Sequence, residues 1–249
     1  MHMRRRASSI WVCMLAWSCF AGQRAAADMF GGSLALTSDY LVRGISRSDH
    51  DPALQLDLHY ALNVGLIAGV FASNAQLDRD GSRSAELSAY FGYAWREGDA
   101  WAGHVLASYY AYPGNQYAYP GNQVGSRYNY AELDADIAYR GWLQVNLNYS
   151  PDTPRFVPYR GLISVTEAAA ELNVQRLIMG KLSATGGVGY SHLGGDDSAG
   201  YVYGSLGGTY DLGPVSLAVS YADTTSGAKS LFYKESASGR WMGTVIWRF

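Results

Sequence analysis

The chain has 249 residues, with 19 basic and 21 acidic side chains, and is rich in glycine (29) and tyrosine (20). That length suits one large β domain. The first 27 residues hold four of the basic side chains and no acid, so the remainder has a formal charge of −6 and no basic patch for nucleic acid.

The chain opens with a leader pattern. Arg4, Arg5 and Arg6 precede a short apolar run, Ile10–Phe20, and Ala25-Ala26-Ala27 suits signal peptidase. This predicts a signal peptide over 1–27 and a mature domain over 28–249. The apolar run is shorter than the ~20 residues of a spanning helix. Ala16-Trp17-Ser18 is a poor lipoprotein approach to Cys19. Cys13 and Cys19 both fall in the leader, so neither disulfide nor thiolate chemistry is expected beyond it.

Period-two alternation then predicts about twelve strands, with ten or fourteen as alternatives. The first, about Ser33–Gly44, places Leu34, Leu36, Tyr40 and Val42 on one face and Thr37, Asp39, Leu41 and Arg43 on the other. After a polar loop, Ser46–Asp51, the second (Pro52–Leu62) is the cleanest. Leu54, Leu56, Leu58, Tyr60 and Leu62 alternate with Gln55, Asp57 and His59. The third (Gly65–Asn74) is apolar at both parities, which leaves its facing open. A charged loop, Gln76–Arg83, precedes the fourth (Ser84–Trp95), where Leu87, Ala89, Phe91, Tyr93 and Trp95 oppose Glu86, Ser88, Tyr90 and Gly92.

The fifth strand (Ala100–Tyr112) runs into a tandem repeat, YAYPGNQ at Tyr110–Gln116 and again at Tyr117–Gln123. A duplication tolerated in a solvent loop is favoured there over a sugar-holding lid. The sixth strand (Tyr128–Tyr139) carries Glu132, Asp134 and Asp136 on one face, and the seventh (Trp142–Tyr149) carries Gln144, Asn146 and Asn148. A loop with Pro151, Pro154 and Pro158 follows. The eighth strand (Thr166–Gln175) sets Glu167, Glu171, Asn173 and Gln175 against small and apolar residues. Its alanines also suit a helix, but the alternation favours a strand. The last four strands are Leu182–His192, Tyr201–Tyr210, Val215–Asp223 and Arg240–Phe249, with Thr224–Ser238 as the final long loop.

Longer connections alternate with short turns, as in a barrel with long loops at one end, and strands of about ten residues match a tilted membrane crossing. Tyr40, Trp95, Trp101, Tyr139, Tyr149 and Trp247 fall near strand ends, as in interfacial girdles. The chain ends on an amphipathic strand with Phe249 last, which resembles the assembly signal of Gram-negative outer-membrane proteins. The predicted fold is all-β: a transmembrane antiparallel up-and-down β-barrel in the Gram-negative outer membrane.

The opening stretch is more specific. SLALTSDYLVRGISRSD (Ser33–Asp49), PALQLDLHY (Pro52–Tyr60) and GLIAGVFASN (Gly65–Asn74), with a later Glu86–Tyr93 segment, resemble the TorF-type outer-membrane porins of proteobacteria. Phe71 stands where that pattern has Trp, Leu66-Ile67 where an aromatic pair is common, and the duplicated YPGNQ loop is outside the pattern. Beyond about Tyr139 the likeness is architectural. The resemblance implies an outer-membrane channel.

With apolar faces toward lipid, strand parity assigns Asp39, Arg43, Asp57, Glu86, Glu132, Asp134, Asp136, Glu167 and Glu171 to the pore lining. Arg96, Arg140 and Arg248 share that face nearer strand ends. Acids dominate, so a narrow, cation-leaning channel for passive diffusion of small hydrophilic solutes is expected. The structural alternative is a plugged barrel that binds at its surface. Asp39 and Arg43, four residues apart on one face, do not touch; a carboxylate across strands is the expected partner of Arg43. A lipid-modifying enzyme is disfavoured, because Ser191 and His192 are adjacent and point to opposite faces. His59 and His104 look isolated, and no metal spacing or cofactor is expected. The partners expected are outer-membrane lipid and lipopolysaccharide, the barrel-assembly machinery through the Phe249 strand, and small solutes.

Overall fold

A computed structural model describes residues 29–76, 84–113, 116–117, 126–157, 161–196, 198–232 and 234–249. The leader expected over 1–27, nearly all of the Gln76–Arg83 loop and most of the second YAYPGNQ copy lie outside these residues. The elements are β1 (Met29–Thr37), β2 (Leu41–Val42), β3 (Ile45–Ser46), β4 (Ala53–Ala61), β5 (Leu66–Ala75), β6 (Ser84–Glu97), β7 (Trp101–Ala111), β8 (Gln116–Tyr117), β9 (Ser126–Arg127), β10 (Tyr130–Tyr139), β11 (Leu143–Val157), β12 (Gly161–Met179), β13 (Leu182–Leu193), β14 (Ala199–Asp211), β15 (Val215–Thr224), α1 (Ser226–Leu231) and β16 (Arg240–Arg248).

Twelve strands close one antiparallel barrel, in the order β1, β16, β15, β14, β13, β12, β11, β10, β7, β6, β5, β4 and back to β1. The seam joins the two ends of the domain. Ser33 pairs with Arg248 and Thr37 with Thr244, and Gly32 and Phe249 exchange backbone hydrogen bonds of 3.0 and 3.1 Å. A Cβ at Gly32 would sit 2.5 Å from the Asp57 carbonyl and 3.0 Å from the Phe249 ring, so the last residue packs where only glycine leaves room.

The wall is inverted relative to a soluble protein. On β10, Glu132, Asp134 and Asp136 are buried, whereas Leu133 and Ile137 are about half exposed. On β4, Gln55, Asp57 and His59 point inward, and Leu54, Leu56 and Tyr60 outward. Leucines exposed and carboxylates enclosed is the pattern of a barrel whose outer solvent is hydrocarbon. Aromatic pairs stand near both rims: Trp101–Tyr139 at 4.8 Å and Trp247–Phe249 at 5.1 Å at the short-turn end, and Tyr221–Trp241 at 5.5 Å at the long-loop end.

The structure corrects several expected boundaries. The first barrel strand stops at Thr37, and residues 38–52 form a loop containing the β2–β3 hairpin. The strand expected to end at Tyr149 continues to Val157 through Pro151 and Pro154, with its register shifted between Ser150 and Thr153. Pro151 falls in that bulge, where an N–H goes unpaired in any case, and Pro154 lies where β11 pairs with β12 but no longer with β10, so both are tolerated. β12 runs over 19 residues, and its ladders to β11 and β13 override the helix propensity of its alanines. β5 turns Ile67 and Phe71 inward with Ser73, which explains why its two parities look alike. The last long loop contains α1.

A direct check of the facing is Val219→Arg, at the middle of β15 and 56% exposed. In lipid vesicles the folded barrel should lose about 2–4 kcal/mol of unfolding free energy. A change within about 0.5 kcal/mol, as at an ordinary wet surface, would show that β15 does not face hydrocarbon.

Candidate functional site

The SDYLVRGIS segment makes a hairpin inside the barrel. Leu41 pairs with Ser46 and Val42 with Ile45, leaving Arg43-Gly44 as a two-residue turn. Both turn residues have positive φ, 51° and 78°, as the mirror-image turns of tight hairpins require. Asp39 clamps the base. It accepts hydrogen bonds from the hydroxyls of Ser46 (2.6 Å) and Ser48 (2.9 Å) and pairs with Arg240 at 2.6 Å. The two serines meet Oδ1, and His50 Nδ1 lies 3.3 Å from Oδ2, the oxygen that Arg240 also meets. The Ser46 N–H donates to the Ser236 carbonyl at 2.9 Å, which ties the hairpin to the last long loop.

Apolar packing fixes one side of the hairpin. Ile45 packs in a cluster with Val165, Leu193, Tyr201, Tyr203, Ala228 and Ala237. Leu41 packs with Ala222 and Met242. A Cβ at Gly44 would fall 2.6 Å from Thr224 Cγ2 and 2.9 Å from Tyr203 Cβ, so the tip presses against β14 and β15.

Charge fixes the other side. Arg43 donates to Glu132 on β10, and its Nη1 lies 2.9 Å from Glu167 Oε1 on β12. These two strands flank β11, which stands six places from β1 in either direction around the barrel. The hairpin is rooted between β1 and β4 and its backbone leans on β14 and β15, so the Arg43 side chain spans the rest of the interior to the opposite wall. Burial opposes the Arg43 charge, but Glu132 and then Glu167 outweigh it and raise its pKa above the ordinary arginine value. Beside it, Glu86 accepts the phenol hydrogens of Tyr40 (2.8 Å) and Tyr112 (2.6 Å). Arg47, on the same hairpin, lies within electrostatic reach of Glu86 and Glu167.

The remaining acids are held toward the short-turn end. Asp57 faces His59 Nδ1 at 2.8 Å and accepts from Tyr90 at 2.7 Å. Asp134 accepts from Asn148 and, at 3.2 Å, from Ser108. Asp136 accepts from Gln144 and, at 2.7 Å, from Asn146, with His104 Nδ1 at 3.9 Å. Glu167 also accepts from Ser191 at 2.8 Å. Glu171 is half-buried on the inner face of β12.

All nine expected lining residues are therefore inside the barrel, but Asp39 and Arg43 come from the crossing hairpin rather than from the wall. Arg43 does meet carboxylates, across the lumen instead of on an adjacent strand. Tyr40, expected in a lipid girdle, points inward to Glu86. His59 and His104, expected to be isolated, each face an aspartate. Arg140 sits exposed in a turn with φ 49°, not in the lumen. Tyr112 and Arg47 were not singled out from sequence; the Arg-Gly dipeptide, a turn signal inside an alternating run, marks the hairpin that carries Arg47. Ser191 and His192 do point to opposite faces. His192 lies outside, with its Nε2 3.0 Å from Ser198 Oγ.

A closed twelve-strand barrel with an apolar exterior and a polar interior defines an outer-membrane porin type of fold. Solved structures bear out that likeness. The NanC porin superposes with a TM-score of 0.54 at 8% identity, over 88% of this chain and 98% of that one. The KdgM porin does so with a TM-score of 0.50 at 10% identity, over 90% and 99%. The chain belongs to the family described as a bacterial protein of unknown function (Gcw_chp), which matches residues 22–247. No curated protein matches it in sequence.

Docking of the hairpin can be read by thiol labelling, because no cysteine occurs after Cys19. Ile45 is 7% exposed, so a cysteine there should resist a water-soluble maleimide. Adding Asp39→Ala, which removes the clamp, should speed labelling by about tenfold or more, the effect of losing roughly 1.4 kcal/mol. Equal labelling rates would show that Asp39 does not hold the hairpin in place.

Proposed function

We propose that this protein is an outer-membrane channel of the TorF type in a Gram-negative bacterium, passing small hydrophilic solutes with a preference for cations. The observation that carries the reading is the enclosed acidic wall of β10 and β12, bridged by a loop hairpin that narrows the passage. The residues that resemble TorF-type porins most closely, Ser38 to Ser46, are those of the crossing hairpin, which gives that likeness a physical content. Carboxylates facing a narrow aqueous path raise the local concentration of cations and repel anions. Lipid and lipopolysaccharide would cover the exposed leucines, and the assembly machinery would receive the Phe249 strand.

A second reading has a specific observation behind it. The hairpin occupies the interior, and Glu86, Glu132 and Asp57 are each less than 5% exposed. A barrel closed in this way could serve as a structural or surface-binding protein. Planar-bilayer recording decides between the two. The channel reading expects a small, cation-selective current, and a higher cation preference in Arg43→Ala, where two carboxylates lose their countercharge. An anion-selective current would overturn the cation preference, and silence in both proteins would leave the plugged barrel as the reading.

A further inference from the structure

We infer that Glu132 and Glu167 form a receptor for the guanidinium group of a small cationic solute, and that Arg43 is the chain's own stand-in for it. This rests on reading the lumen as a solute path, and it names the solute class that path takes.

The pocket is built by the wall and filled from elsewhere. Its two carboxylates come from strands separated by β11, and both are nearly inaccessible. A guanidinium presents planar donors on two edges, which lets it serve both acids at once, whereas an ammonium is a point charge. The group that does so here belongs to a loop. It sits at the tip of a two-residue turn, in a left-handed conformation that a side-chain-bearing residue adopts only at a cost. Local preference at such a turn favours Asn, Asp or Gly, so the arginine answers to the carboxylates rather than to the turn.

Removing the hairpin would leave two enclosed carboxylates without a countercharge, which is strongly unfavourable. A second cation is therefore the natural companion of an open state. An independent feature points to the same place. Thr153 is 5% exposed and its hydroxyl has no partner. It stands on the inner face of β11 opposite Val165, one inward-facing position, roughly 7 Å, from Glu167 along β12. An enclosed hydroxyl with no partner among the described residues is a spare contact for the far end of a ligand seated at Glu167.

The wall also continues. Asp134 and Asp136 follow Glu132 along β10, and Glu171 follows Glu167 along β12. Alternate residues of a strand are roughly 7 Å apart, so the β10 carboxylates recur toward the short-turn end at about that interval, and Glu171 lies about twice that distance from Glu167. Arg43 competes with an incoming cation as a tethered ligand at an effective concentration on the order of millimolar. Its removal should therefore expose the site's full affinity.

The test is calorimetric titration of the full protein, folded in detergent, with agmatine as the probe. Putrescine, which lacks the guanidinium, is the control. Arg43→Ala should bind agmatine about tenfold or more tightly than the wild type, as expected when a tethered competitor is lost. Adding Glu167→Gln to that variant should abolish the gain, and putrescine should bind more weakly than agmatine. Equal affinity in wild type and Arg43→Ala, no binding by Arg43→Ala, retention of the gain with Glu167→Gln, or putrescine binding as well as agmatine would each overturn the proposal. Should Arg43→Ala fail to fold, Arg43→Lys takes its place. Its compact ammonium cannot bridge both acids, so a smaller gain is expected, and no gain overturns the proposal. The reading of the protein as a channel fails separately, by silence in bilayers while agmatine binding persists.

Discussion

Hydrocarbon offers no partner to a backbone N–H or C=O, so a strand exposed to lipid must have a neighbour on both edges. The arrangement here follows from that constraint. It forces the first and last strands together, which places Phe249 against Gly32 and makes the end of the chain part of the seam. It also forces strict alternation. Away from the bulges a residue facing lipid is followed by one facing in, and most of the polar side chains of twelve strands arrive in one enclosed space.

That space then has its own requirement. A buried carboxylate is tolerated when it is paired and hydrogen-bonded, and the described wall residues supply the acids with amides, hydroxyls and phenols but few cations. The hairpin brings the missing charge. Arg43 meets two glutamates at once and Arg47 lies near Glu86. Asp39, at the hairpin's own base, is matched by Arg240 from β16. Removing one partner of a buried pair costs about 3–5 kcal/mol, whereas an exposed pair such as Lys229–Asp223 contributes about 0–1 kcal/mol. The contacts that hold the hairpin are thus the ones on which the interior depends.

This logic explains what the amino-acid pattern reveals and what it hides. Alternation on β4, β10 and β15 is legible because each strand has one leucine-rich and one polar face, and parity alone assigns Asp57, Glu132 and Asp136 inward. Asp39 and Arg43 were also assigned inward, through a strand that does not exist there. The run from Ser38 to Ser46 keeps a strand-like period because it is a strand pair, folded back at Arg43-Gly44. Which wall its tip reaches depends on barrel closure, a long-range property with no local signature. The continuation of β11 past Pro151 is hidden for a similar reason. A bulge absorbs Pro151, and only the partner strand shows that pairing resumes at Thr153 and runs through Pro154. Ile67 and Phe71 defeat parity on β5 because apolar residues also pack inside.

The two walls that the hairpin meets differ in kind, and the difference sets its orientation. Along β13 to β16 the inner face carries no acid among its buried residues: hydroxyls such as Ser183, Thr185, Thr209, Ser216 and Ser220 line it toward the short turns, and Leu193, Tyr201, Tyr203 and Met242 line it toward the long loops. The apolar flank of the hairpin, Leu41 and Ile45, packs against the second group. Along β10 to β12 the inner face carries the acids and their amides, and the hairpin turns its guanidinium that way. A loop with one greasy flank and one charged tip can settle in such an interior in one orientation, because reversing it would bury a charge against alanine and methionine. The hairpin is held by packing that runs from Val165 on β12 round to Met242 on β16 and by charge at Glu132 and Glu167, and only the second hold can be exchanged for an incoming cation.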